Sequence, residues 1–273
     1  MKKRLVFVCF LAAALLAAVL RLCQMLAFTE YKTGFIEREN HTVYIVFGVI
    51  IALLALAAPA FALMSAPVPK TDKAFSLVAS LLTVVAGVAC VADVLFLYSS
   101  NNDTPHLLKI LCVSLGSLCA AYFAACGVRS FLYFPFSSKL AAIPPAFFTM
   151  RAACVFIACS RHAVVSDTVF EVVIYCALML LFLEIARAAN GAGSRLSPRK
   201  ITFSGLFTAV LSICFAVPKI ALSVFYSSAL HDSAGSSLLM LTLGLYSAAL
   251  VFTRIDFTGK SEKALGVYYT GKH

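Results

Sequence analysis

Two long apolar runs, separated by one short polar turn, occupy the middle of the chain. They cover residues 146–160 and 169–189, and runs of this length predict membrane-spanning helices. Arg151 lies inside the first run and Glu171 inside the second. A charge near the centre of such a helix costs about 2.5–3.5 kcal/mol on insertion scales. This stretch therefore indicates both the class of the protein and a candidate site.

Similar apolar runs recur along the whole chain. The sequence is 62% hydrophobic and 12% charged, whereas soluble domains are about 45–50% apolar and about 25% charged. We predict an all-α polytopic membrane helix bundle, with the lipid bilayer around it. The N-terminal run resembles a signal peptide, but it continues past Arg21 without a small-residue cleavage site, so we interpret it as a span. The eight predicted transmembrane helices cover 5–28, 42–65, 74–99, 107–127, 140–160, 169–189, 201–227 and 237–254.

The basic residues of the connections predict the orientation in the membrane. Fifteen Lys and Arg residues fall on the side of the N-terminus, and only Lys32, Arg38 and Arg161 fall on the other. Cytoplasmic loops carry such an excess. We therefore expect a multi-pass protein of the cell membrane with both termini in the cytoplasm. This distribution also explains the net charge of +10 without a nucleic-acid partner.

The chain resembles itself at a nearly constant displacement. A shift of 128 residues aligns 75–123 with 203–251 and gives ten identities without a gap, and a shift of 130 places Arg21 over Arg151. We predict a parallel 4+4 internal repeat, with one four-helix unit at 1–128 and the other, with a short cytoplasmic tail, at 129–273. Ligand sites of proteins with such repeats often lie between the halves.

Five ionisable residues within the predicted spans form the candidate ligand site: Arg21, Asp93, Arg151, Glu171 and Lys219. Each also has a simpler explanation, because Arg21 and Lys219 can extend to the outer headgroups and Arg151 can bond Glu171 or backbone carbonyls. Taken together, three cations and two acids would line an outward-opening polar cavity between the halves. Such a cavity favours a small anionic or zwitterionic ligand.

Prolines in the fifth and seventh predicted helices strengthen the interpretation of these residues as a site. Pro218 precedes Lys219 and is expected to break the seventh helix, which would free carbonyl groups beside the site. Pro144 and Pro145 are expected to do the same near the start of the fifth helix. Glu184 and Arg187, three residues apart near a helix end, are expected to form a local ion pair.

Four histidines provide a weaker candidate, for a metal. His41, His106, His162 and His231 fall one in each of the four predicted outer loops. Gathered at one rim they would bind a transition metal, but their spacing matches no recognised ligand pattern. The ten cysteines likewise form no CxxC or Cys/His pattern, and small packing residues are the simplest interpretation. No cofactor is predicted.

Two functions remain open from the sequence. The first is binding or transport of a small solute through the polar cavity. The second is a non-catalytic structural or regulatory subunit, whose buried charges specify only helix packing or a membrane protein partner. An enzyme is not expected, because the sequence contains no phosphate loop, dinucleotide fingerprint or HExxH motif.

Overall fold

The computed structural model describes residues 2–28, 41–64, 68–69, 77–99, 105–132, 138–161, 166–192, 197–225 and 234–256. All eight long helices in these ranges are long and apolar enough to cross a membrane, which confirms a multi-pass helical membrane protein. The helices are α1 (Lys2–Phe28), α2 (His41–Met64), α3 (Leu77–Ser99), α4 (His106–Leu132), α5 (Ile143–Arg161), α6 (Ser166–Ala189), α7 (Ser197–Phe225) and α8 (Ala234–Arg254). A 3-10 helix at Ser138–Ala142 leads into α5.

The end of helix α6 follows from local sequence chemistry. The helix ends at Ala189, and Gly191, two residues later, has a φ of 72° that is costly for other residues. The amide of Ala192 donates to the carbonyl of Arg187, and that of Gly191 to Ala188, which is the bonding of a Schellman motif. Asn190 also caps the helix, because its side-chain amide donates to the carbonyl of Ala186. This turn redirects the chain toward α7.

The proline predictions are corrected by the structure. Helix α7 continues through Pro218 to Phe225, so the expected break of the seventh helix is wrong. Pro218 lacks an amide hydrogen and removes one helical hydrogen bond, but the turns on both sides of it persist. Pro144 and Pro145 lie in the first turn of α5, where missing amide donors cost little. They begin a helix and do not interrupt one.

Helices α7 and α8 form the centre of the bundle and are its most buried helices. Helix α7 packs against α1, α2, α6 and α8, and α8 also packs along α3. The hairpins α3–α4 and α7–α8 approach closely at small residues. A side chain at Gly244, for example, would meet Ser212 of α7. Helix α2 lies at the periphery and exposes most of its apolar surface.

Two short strands place two parts of the chain on the same side of the bundle. Strand β1 (Val68–Pro69) follows α2, and strand β2 (Ile255–Asp256) follows α8. They pair antiparallel, with Val68 opposite Asp256 and Pro69 opposite Ile255. Both follow even-numbered helices, as expected if successive helices alternate in direction. We call this side proximal, since it is also the side of the N-terminus, and the opposite side distal.

Candidate functional site

A buried ion pair between α3 and α5 is the core of the candidate site. The Nε atom of Arg151 donates to Oδ2 of Asp93 at 3.0 Å, and Nη2 donates to Oδ1 at 2.8 Å. The Arg151 side chain is 10% exposed and that of Asp93 is 1% exposed. Such a bidentate pair matches the planar fork of a guanidinium to a carboxylate. The partner expected from the sequence, Glu171 or a backbone carbonyl, is therefore replaced by Asp93.

Helices α4 and α6 complete the surroundings of this pair between α3 and α5. Helix α4 contributes Gly116, where an added side chain would meet Val94 of α3 and Phe147 of α5. Helix α6 contributes Tyr175, whose ring centroid lies 5.6 Å from the guanidinium carbon of Arg151. Over residues 77–99 and 143–161, helices α3 and α5 do not pack along their length. The Arg151 side chain thus bridges the space between two helices that lie apart.

Several polar groups at this site have no partner among the residues that the structure describes. A guanidinium carries five N–H donors, and Arg151 gives two of them to Asp93. No hydrogen bond to a described residue accounts for the other three. The hydroxyl of Tyr175 is buried and likewise unpaired within the described ranges. We call Arg151, Asp93 and Tyr175 the Arg151 centre.

A stack of aromatic rings lies on the proximal side of the Arg151 centre. Phe148 stacks on Tyr175 with centroids 6.3 Å apart, and on Phe182 with centroids 5.4 Å apart. Phe182 is nearly parallel to Tyr246 of α8 at 6.1 Å, and Phe123 of α4 meets both of these rings edge-on. These four phenyl and phenol rings, at 123, 148, 182 and 246, are called the aromatic stack below. It joins α4, α5, α6 and α8.

Arg21 forms a second, separate polar centre. It is 1% exposed, and its Nη1 atom donates to Gln24 Oε1 and to the Tyr44 hydroxyl, the latter at 2.8 Å. Gln24 in turn donates to the carbonyl of Tyr44 at 2.9 Å. The Arg21 guanidinium also lies 4.8 Å from the ring centroid of Phe170 on α6. The expectation that Arg21 extends to the headgroups is therefore wrong, because neighbouring side chains satisfy it inside the bundle.

The remaining two candidates are Lys219 on α7 and Glu171 on α6. Lys219 is 7% exposed, and its ammonium nitrogen lies 4.3 Å from the ring centroid of Phe215, one turn earlier on α7. Glu171 is partly buried and occupies the same face of α6 as Tyr175, one turn toward the distal side. Its carboxylate acts electrostatically on Arg151. Of the five candidates, Arg151 and Asp93 contact each other directly, whereas Arg21 bonds Gln24 and Tyr44.

Helix α6 sets the relative depth of the two centres. Phe170 contacts Arg21 and Tyr175 contacts Arg151. Five residues separate them along α6, which corresponds to about 7.5 Å of axial rise. The Arg151 centre is the deeper of the two from the distal side. It also lies near the midpoint of α5, as the sequence indicated for Arg151.

The histidine candidates are not assembled by the described residues. His41 begins α2 and His106 begins α4, where its side chain is exposed. His162 and His231 lie outside the described residues. Within the described ranges, no three His, Cys, Asp or Glu side chains gather as metal ligands. The predicted ion pair between Arg187 and Glu184 is present at 3.5 Å, with Lys200 of α7 joining it at 3.6 Å.

Sequence reasoning did not predict the roles of Tyr175, Gln24 and Tyr44. Tyr175 is an ordinary aromatic residue in an apolar run, and no spacing rule marks it. Tyr44 lies in the first turn of α2, yet it is only 6% exposed. Gln24 lies three residues after Arg21, so a search for polar residues one turn from each buried charge would have found it.

No protein-family model, curated protein or solved structure matches this chain. The fold and the contacts within it therefore carry the functional argument. They define a multi-pass membrane protein of eight apolar helices with two buried arginine centres.

Proposed function

We propose that this protein binds a small anionic or zwitterionic solute at the Arg151 centre and carries it across the cell membrane. The observation that carries the proposal is the buried hydroxyl of Tyr175, which has no partner within the described residues. It lies beside a guanidinium that gives only two of its five N–H donors to Asp93. Most buried polar groups in folded proteins have a partner. Each one left without a partner costs about 1–3 kcal/mol. Donors held apart in this way are preorganised for a ligand that accepts hydrogen bonds.

The surroundings support a route from the distal side. The aromatic stack lies on the proximal side of the Arg151 centre. Arg21 and Lys219 lie in the distal thirds of their helices. If both termini are cytoplasmic, as the fifteen-to-three distribution of basic residues favours, the distal side faces outward. An anion from outside would meet these cations first and Arg151 afterwards.

The internal repeat is part of the same proposal. In each half, the arginine of the first helix lies over the ring of a tyrosine in the second helix. The guanidinium carbon of Arg21 lies 5.7 Å from the ring centroid of Tyr44, and that of Arg151 lies 5.6 Å from the ring centroid of Tyr175. The two halves differ in their packing, because α1 packs directly on α7 whereas only the ion pair joins α5 to α3. We infer that the second half keeps the space in which a ligand binds.

Substitution of the unpaired hydroxyl tests the proposal. Tyr175→Phe removes a buried group without a described partner, so the ligand-free variant should be more stable than wild type by about 1 kcal/mol. The same change should weaken ligand binding. The measurement is thermal unfolding of detergent-purified protein against a panel of small anions and amino acids. A ligand at one hundred times its Kd stabilises the native state by about 2.7 kcal/mol.

Tyr98→Phe is the matched control, because Tyr98 is 72% exposed and lies at the distal end of α3. It should change neither the stability nor the response to ligands. The proposal is wrong if no compound of the panel stabilises wild type while Arg151→Ala lowers the stability strongly.

The alternative function is a structural or regulatory subunit without a catalytic step. The observation that favours it is the bidentate pair itself, since both oxygens of Asp93 accept from Arg151 and so tie α3 to α5. In such a subunit the centre would only specify helix packing or a partner. Tyr175→Phe would then stabilise the protein without altering any ligand response. The panel therefore separates the two functions.

A further inference from the structure

The charges of the Arg151 centre already balance without a ligand. Arg151 contributes one positive charge and Asp93 one negative charge, and both are buried. Both carboxylate oxygens of Asp93 are occupied by donors of Arg151. An anion that binds the remaining donors adds a second negative charge to this low-dielectric space. A buried charge without a compensating partner is strongly unfavourable.

We propose, resting on the function proposed above, that the ligand is a monocarboxylate and that Asp93 takes up one proton when it binds. The incoming carboxylate accepts hydrogen bonds from Arg151 and Tyr175. One proton from the solvent binds an oxygen of Asp93, so the centre stays neutral with the ligand in place. Carboxylate geometry suits the planar fork of a guanidinium. The protein would thus move an acid and a proton together.

The other titratable groups near Asp93 are less suited to accept this proton. The thiols of Cys90, Cys112 and Cys154 and the phenol of Tyr175 also act electrostatically on Asp93. A thiol or phenol that carries its own proton has no site for a second one. Helix α8 also packs on α3, but its Tyr246 faces Phe123 and Phe182.

Glu171 of α6 acts on Arg151 as well. It is only partly buried, so water stabilises its charge. Asp93 is the carboxylate with the least access to water, at 1% exposure. If the ligand takes donors of Arg151 away from Asp93, a charged Asp93 is left buried without its partner, which is costly. A protonated Asp93 carries no charge and avoids this cost.

The unpaired groups favour an anion over a zwitterion. Arg151 offers N–H donors and Tyr175 a hydroxyl, whereas an ammonium group requires acceptors. Each oxygen of Asp93 already accepts one hydrogen bond from Arg151, so the centre has fewer acceptor sites left than N–H donors. An amino acid would need acceptors for its ammonium group as well, whereas a monocarboxylate uses only the donors.

Isothermal titration calorimetry of the purified full-length protein with acetate, pyruvate and benzoate tests this inference. Two amine buffers with different ionisation enthalpies report how many protons are taken up. We expect one proton per bound carboxylate, and an affinity that falls about tenfold for each unit that the pH rises. Asp93→Asn imitates the protonated acid, so its affinity should be independent of pH over the same range.

Glu184→Gln is the matched control, because Glu184 is an acid at the proximal end of α6 that pairs with Arg187 and Lys200. This variant should keep the tenfold slope. Carboxylate binding without proton uptake would overturn the inference and leave the proposed function intact. Tighter binding of glycine than of any of the three carboxylates, without a proton, would also overturn it. If neither the carboxylates nor glycine bind at any pH, the inference fails, and the proposed function fails as well only if no other compound of the wider panel stabilises wild type.

Discussion

Removal of one partner of the Arg151–Asp93 pair should be much more harmful than removal of both. Arg151→Met leaves Asp93 charged at 1% exposure, and Asp93→Leu leaves Arg151 unpaired at 10% exposure. Loss of one member of a buried pair costs about 3–5 kcal/mol, whereas apolar replacement of both is often neutral or stabilising. The double variant should therefore regain most of the lost stability. If the double variant loses almost no stability, the coupling energy equals the sum of the two single losses, about 6–10 kcal/mol.

The assay is reversible unfolding in mixed micelles, with the free energy of unfolding measured for wild type, both single variants and the double variant. A second cycle on Glu184 and Arg187 provides the reference, since that pair is 3.5 Å long and the Arg187 side chain is 51% exposed. Its coupling energy should stay below about 1 kcal/mol. Additive costs in the first cycle would show that the two charges do not depend on each other. The reasoning about the Arg151 centre would then be wrong.

Two further predictions concern packing and orientation. Gly116→Ala should lower the free energy of unfolding by about 1–3 kcal/mol, because the new methyl group meets side chains of both α3 and α5. Gly48→Ala is the control, because a methyl group added there meets no atom within 4 Å, and it should be neutral or stabilising. Equal effects of the two substitutions on the free energy of unfolding would refute the close packing at Gly116. A reporter fused after Asn102 should lie outside the cell and one after Lys70 inside, and the reverse would refute the assigned orientation.

The number of spans follows from the sequence because a bilayer imposes a one-dimensional constraint. Each helix must satisfy its own backbone hydrogen bonds and cover the hydrocarbon thickness, so composition and length suffice to find it. The predicted span 201–227 and the helix Ser197–Phe225 differ only at their ends. Pro218 was misjudged because a helix supported by neighbours on several sides tolerates the loss of one hydrogen bond.

The sequence also showed which charged residues lie inside the membrane, since any Arg or Asp in a long apolar run is conspicuous. It did not show their partners. Arg151 and Asp93 are 58 residues apart, and their contact depends on how α3, α4 and α5 cross at Gly116.

The role of Tyr175 could not be predicted from the sequence either, because whether a hydroxyl has a hydrogen-bond partner depends on the residues packed around it. Local sequence determined the helices and the burial of charge. Only the tertiary structure decided that Arg21 bonds Gln24 and Tyr44 while Arg151 pairs with Asp93 of another helix, since three-dimensional packing alone brings distant partners to a side chain.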